Sequence, residues 1–119
     1  AALYAQLCVD CHGETLVGGH KRGGALIGGR GTLNSEFPRC TVESYWPYAP
    51  TLFDYVRRAM PYPAPGSLEP DQVYALIAFI LGEAAIIGIS ETINDANLPL
   101  VKMPNRDGFR TDWPPEMFR

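Results

Sequence analysis

Long apolar runs are missing from this 119-residue sequence. The longest extends from Val73 to Leu81 and falls well short of the roughly 20 residues that a helix needs to span a bilayer. The first residues also lack the basic and apolar regions of a secretory signal peptide. We therefore expect no transmembrane segment, and we interpret residues 73–81 as part of a buried helix.

An excess of basic residues is also missing. The sequence has 10 Lys and Arg against 13 Asp and Glu, which gives a net charge of -3. Domains that bind nucleic acid carry a strongly basic surface, so this balance argues against that class of function. It permits docking to another protein through a local patch without indicating which protein.

Cysteine and histidine are scarce, with three Cys and two His. Two of the cysteines fall in Cys8-Val9-Asp10-Cys11-His12, and C-x-x-C-H is the attachment signature of c-type haem. Two thiols at this spacing on one helical turn form thioether bonds to the two vinyl groups of one porphyrin. His12 then lies beneath the iron as an axial ligand.

Other uses of the two cysteines require features that the sequence lacks. A thioredoxin-like dithiol needs a βαβ context, and a zinc site needs a second pair of ligands, for which Cys40, His20 and scattered carboxylates remain. Because the motif occurs once, we expect one covalent haem c per chain. Cys40 then has no intramolecular partner, and we expect a buried free thiol, with a disulfide to another subunit as the alternative.

Glycine and proline are abundant, with 12 Gly and 11 Pro, so much of the chain should form loops. Apolar spacing predicts helices over 1–12, 51–59 and 70–81, with Gly82 as a C-cap and a further short helical piece over 83–87. The expected fold is mostly α, with short helices and long loops packed around one covalent haem. We expect one domain over 1–119, with a core at 1–82 and a C-terminal extension at 83–119.

A methionine is the expected ligand on the opposite side of the iron, because Met/His ligation is a standard arrangement in cytochromes c. Met60 lies between the second and third predicted helices and is followed by proline. Met103 is also followed by proline but comes after the last core helix, and Met117 is near the C-terminus. His20 is the alternative ligand, although it lies in a glycine-rich loop.

Three further side chains are candidates for contacts at the haem edge. Arg30 follows a double glycine, and its planar guanidinium matches a propionate carboxylate. Trp46 and Tyr48 have N–H and O–H groups for the propionates and rings that can cover the haem. The alternatives are an exposed loop arginine and simple aromatic packing in the core.

The order of these elements resembles a class I cytochrome c, in which a methionine before the last core helix ligates the iron. Residues 26–33, 44–49 with 51–61, and 101–109 more narrowly resemble the SoxD-type haem c domain of bacterial sulfane and sulfite dehydrogenases. This resemblance covers residues 1–109. It assigns haem attachment and ligation to Cys8, Cys11, His12 and Met60. Gly24 departs from it, because many relatives have a proline whose carbonyl orients the proximal histidine.

What the resemblance implies is a periplasmic cytochrome that accepts electrons from a molybdopterin dehydrogenase subunit and passes them to a downstream cytochrome or oxidase. Haem is attached to such motifs outside the cytoplasm, so we expect an exported protein whose leader has been removed. One alternative is a general electron shuttle unrelated to sulfur. Another is a haem enzyme or sensor, which would need an open sixth coordination position.

Overall fold

A computed structural model describes residues 1–19 and 23–109, and this part of the chain contains helices and no strand. It contains four α-helices and one 3-10 helix, and all except the adjacent α1 and α2 are separated by loops. They are α1 (Ala2–Leu7), α2 (Val9–His12), α3 (Ala49–Ala59), α4 (Pro70–Glu83) and the 3-10 helix at Leu98–Leu100. The helical prediction therefore agrees with the structure.

The first predicted helix is divided at Cys8 into α1 and α2. Cys8 has a φ of -122°, far from the helical value of about -63°. Its N–H still donates to Tyr4 O at 2.9 Å, and its carbonyl accepts from His12 N–H at 2.9 Å. The two helices are thus connected by a continuous hydrogen-bonded turn at the first cysteine of the motif.

Proline marks the beginnings of α3 and α4. Pro50 is in the first turn of α3 and Pro70 is the first residue of α4, positions where the missing N–H costs no helical hydrogen bond. The N–H of Glu69 donates to Gln72 Oε1 at 2.9 Å, which satisfies a backbone donor at the start of α4. The prediction that α4 begins at Pro70 is correct.

The end of α4 differs from the prediction. Helix α4 continues through Gly82 to Glu83, and the rest of the predicted helical piece, residues 84–87, is not helical. Instead the chain reverses, and Ala85 adopts a left-handed φ of 58°. A Cβ at Gly82 would lie 3.1 Å from Ile89 Cδ1. Gly82 is therefore not the C-cap of α4 but a position where the returning chain packs closely against the helix.

The hydrophobic core is built where α1 and α3 pack against α4. The C-terminal extension also contributes to it, because Ile93, Leu98 and Met103 are buried in the same cluster. The other members of the cluster come from the helices and from the loops between them: Tyr4, Leu16, Val42, Ala49, Leu52, Val56, Val73, Leu76, Ile77, Ile80 and Leu81. The described part of the extension thus contributes side chains to the packed interior.

The expectation that Cys40 is buried is wrong. Its thiol is free and exposed, and residues 34–39 before it are exposed as well. This segment follows the turns at 29–35, and the chain re-enters the core only at Thr41 and Val42. Separately, no helix within residues 1–19 and 23–109 is long and apolar enough to cross a membrane.

We expect Leu81→Ala to lower the free energy of unfolding by about 2 to 5 kcal/mol, because Leu81 is fully buried and its truncation leaves a cavity. Leu100→Ala is the matched control, since Leu100 is 77% exposed and should change stability by less than about 0.5 kcal/mol. Denaturant titration of both variants tests the position of the core. Equal losses would contradict it.

Candidate haem site

The motif residues Cys8, Cys11 and His12 lie on one turn of the chain. Cys8 separates α1 from α2, and the other two residues are the last two of α2. Both thiols are half-buried and neither is paired in a disulfide. Two free thiols beside one imidazole on a single turn fit the requirements for covalent haem attachment and iron ligation.

The His12 ring is held by the backbone of the glycine-rich loop. Its Nδ1 is 2.8 Å from the carbonyl oxygen of Gly24. When Nδ1–H donates to that oxygen, the lone pair of Nε2 is available for iron, and the ring has a fixed orientation. Gly24 therefore supplies a carbonyl that orients His12.

The loop approaches the motif closely because glycines line the contact. Gly18 N–H donates to His12 O at 2.8 Å, and Gly19 N–H donates to Cys11 O at 3.1 Å. A Cβ at Gly23 would lie 2.6 Å from Cys11 Cβ and closer still to the Cys11 carbonyl group. The structure thus shows these glycines packed on the turn that presents the cysteines.

Tyr4 connects the end of the motif turn to α4. Its hydroxyl donates to Gly13 O at 2.7 Å, and its ring lies 5.0 Å from the ring of Phe79 in α4. Burial, and secondarily the negative charge of a Cys8 thiolate, raise the pKa of Tyr4 to about 12. Sequence analysis did not identify this hydrogen bond.

The environment of Cys8 favours the protonated thiol. Burial raises the pKa of Cys8, and the nearby Cys11 adds to the effect. Thioether formation would consume the thiol, so that it could no longer ionise beside Tyr4. Among residues 1–19 and 23–109, no three His, Cys, Asp or Glu side chains are grouped so that they could hold a metal ion.

The methionines occupy different environments. Met60 follows α3 directly, is half-buried, and donates its N–H to Val56 O at 3.1 Å. Met103 is 3% exposed and lies within the hydrophobic cluster. The alternatives Met117 and His20 lie outside the described residues.

Arg30 joins three segments of the chain. Its Nε donates to Glu43 Oε2 at 3.0 Å, and its Nη2 donates to Ala84 O at 3.2 Å. Glu43 also accepts the N–H of Gly28 at 2.8 Å. The guanidinium therefore has protein partners, and its contact with a propionate stays a prediction.

The predicted haem-edge aromatics are close to α3. Trp46 is half-buried and packs edge-on against Tyr55 with ring centroids 5.6 Å apart. Tyr48 is 49% exposed, and the guanidinium of Arg106 lies 4.5 Å from its ring centroid. The roles of Trp46 and Tyr48 at the haem stay predictions. Sequence analysis missed the Arg106 contact, because no local pattern signals it.

The family model for cytochrome c matches residues 1–83. This chain belongs to the cytochrome c family. Its cofactor is therefore covalently bound haem c, with which Cys8 and Cys11 are consistent, and its role is electron transfer. No curated protein sequence matches the chain.

A solved structure supports a narrower comparison. The crystal structure of the sulfane dehydrogenase SoxCD from Paracoccus pantotrophus contains a chain that is 37% identical, with a TM-score of 0.88. The match covers 93% of the present chain and 54% of that one. The class I cytochrome c fold and the resemblance to the haem c component of sulfane dehydrogenases are thereby confirmed.

We expect Gly23→Ala to lower the free energy of unfolding by about 1 to 3 kcal/mol, the usual cost of overpacking. The added Cβ would meet Cys11 and displace the loop that orients His12. Gly24→Ala is the control, because a Cβ at Gly24 has no neighbour within 4 Å. Thermal unfolding and the yield of covalently attached haem measure the difference. Equal behaviour of the two variants would show that the loop does not contact the motif turn as described.

Proposed function

We propose that this chain is a periplasmic electron-transfer subunit that accepts electrons from a molybdenum-containing sulfite or sulfane dehydrogenase. It would pass them singly to a downstream cytochrome or oxidase. The observation that carries the proposal is the 37% identity over 93% of the chain to a component of a sulfane dehydrogenase. Because the chain spans 54% of that protein, its participation in a sulfane or sulfite dehydrogenase is a proposal.

The motif residues perform the binding part of this function. Haem c supplies one-electron exchange between ferric and ferrous iron. Cys8 and Cys11 would hold it covalently, and His12 would provide a nitrogen ligand to its iron. The hydrogen bond from Nδ1 to Gly24 O fixes the orientation of this ligand, so its geometry is prepared before any electron arrives.

Met60 is the proposed ligand on the opposite side. Its position directly after α3 is fixed through the hydrogen bond to Val56, and the loop that follows contains Pro61, Pro63 and Pro65. A half-buried thioether at the end of a helix has the freedom to reach an iron. Met103 lacks that freedom, because the core encloses it. A soft, neutral thioether favours ferrous iron and suits an electron acceptor.

We expect Met60→Ala to abolish the weak far-red sulfur-to-iron charge-transfer band of the ferric protein and to allow carbon monoxide and cyanide to bind. Met103→Ala is the matched control. It should keep the band and lose about 2 to 5 kcal/mol of stability, because it removes a core side chain. A Met60→Ala protein that keeps sulfur ligation would show that Met60 is not the ligand. Ligand binding by the unaltered protein would favour a haem enzyme or sensor.

The electron donor is tested directly with purified proteins. We expect sulfite to reduce the haem of this chain rapidly when a catalytic amount of the molybdenum-containing dehydrogenase from the same organism is present, and slowly without it. The growth of the ferrous α-band at several concentrations of the chain measures the rate. A rate no higher than that of an unrelated class I cytochrome c would contradict the sulfur-specific partner and favour a general shuttle.

A further inference from the structure

A strap formed by residues 103–109 fastens the end of the described chain to the loop before α3. Its beginning is held by the buried Met103. Asn105 Nδ2 donates to Tyr45 O at 2.7 Å, and the ring of Phe109 meets that of Tyr45 edge-on at 5.1 Å. The family model ends at residue 83, so this strap is an addition to the part of the chain that the family shares.

Arg106, in the middle of the strap, has a guanidinium with no acidic partner. Among the residues that the structure describes, it makes neither an ion pair nor a side-chain hydrogen bond. Its contact is the ring of Tyr48, 4.5 Å away. A guanidinium over an aromatic face is attracted to it, which leaves the five N–H donors at its edge available for an anion.

Arg30 is the arginine that sequence analysis selected for the haem edge. Its guanidinium donates to other protein groups. Its Nε is paired with Glu43 and its Nη2 with Ala84 O. Arg58 is likewise paired, with Asp54 at 2.7 Å. Arg106 therefore combines two features that Arg30 lacks in this structure: an unpaired fork and direct contact with Tyr48, a predicted haem-edge residue.

We propose that Arg106 binds a haem propionate, positioned by the strap and by the Tyr48 ring. The inference rests on the proposed haem-edge role of Tyr48. A carboxylate is the anion that matches a guanidinium fork best. A positive charge at that edge disfavours the ferric state relative to the ferrous state, so Arg106 raises the reduction potential.

The test is the reduction potential of holoproteins in which the charge at position 106 is removed or kept. We expect Arg106→Gln to lower the midpoint potential and Arg106→Lys to restore most of it, because lysine keeps the charge. Lys102→Gln is the matched control. Lys102 is exposed, lies one helical turn's length earlier in the sequence, and lines a separate depression with Ile87 and Glu91. Its substitution removes an equal charge and should shift the potential less.

Covalent haem and the far-red band are recorded for the unaltered protein and for every variant. If the unaltered protein lacks either one, the proposed haem site is wrong, and this outcome is distinct from a failure of the Arg106 inference. Equal shifts for Arg106→Gln and Lys102→Gln would overturn the inference, since any surface charge would then act alike. A Lys variant as shifted as the Gln variant would also overturn it, because the loss would then come from stacking on Tyr48. A midpoint potential that falls clearly in Arg106→Gln, and much less in Arg106→Lys and Lys102→Gln, supports the inference.

Discussion

The hydrogen bond between His12 Nδ1 and Gly24 O is the contact on which the site depends. It connects the turn that carries the cysteines to a loop whose described residues form no helix or strand. The loop can reach the imidazole because glycines at 19 and 23 allow its backbone to lie directly on Cys11. Any side chain at these positions would push the carbonyl away from the ring. Glycine content, which usually indicates flexibility, here permits a tight contact between two backbones.

Features that depend on local sequence could be predicted well. The haem motif is defined by five consecutive residues, and α4 by a proline at its first position. The ligand role of Met60 stays a prediction. The division of the first helix at Cys8 could not be predicted, because one residue with an altered φ leaves no trace in hydrophobic periodicity. The supposed helix over 83–87 failed for a related reason. Its composition is compatible with a helix, but Ala85 turns left-handed so that Ile89 can pack on Gly82.

Long-range contacts were the other limit of prediction. The ring of Tyr48 and the guanidinium of Arg106 meet although nearly half the length of the chain separates them. Each residue alone is indistinguishable from an exposed polar side chain. The prediction that Cys40 is buried was wrong for a similar reason. Free cysteine is usually buried, yet this one lies in a run of exposed residues before the chain enters the core at Thr41. The fate of both residues is decided by tertiary packing.

The pairing of Arg30 with Glu43 and Ala84 also bears on how the chain acquires its structure. Arg30 and Ala84 are separated by 54 positions, so their contact closes a long loop and forms only after the last core helix is in place. Contacts of such sequence separation are slow to form, because the loop entropy is lost before the contact compensates for it. The segment from Gly28 to Glu43 thus takes its final shape late. The turn that carries Cys8 and Cys11 is held by hydrogen bonds between residues close in sequence, so it can form before that segment is in place.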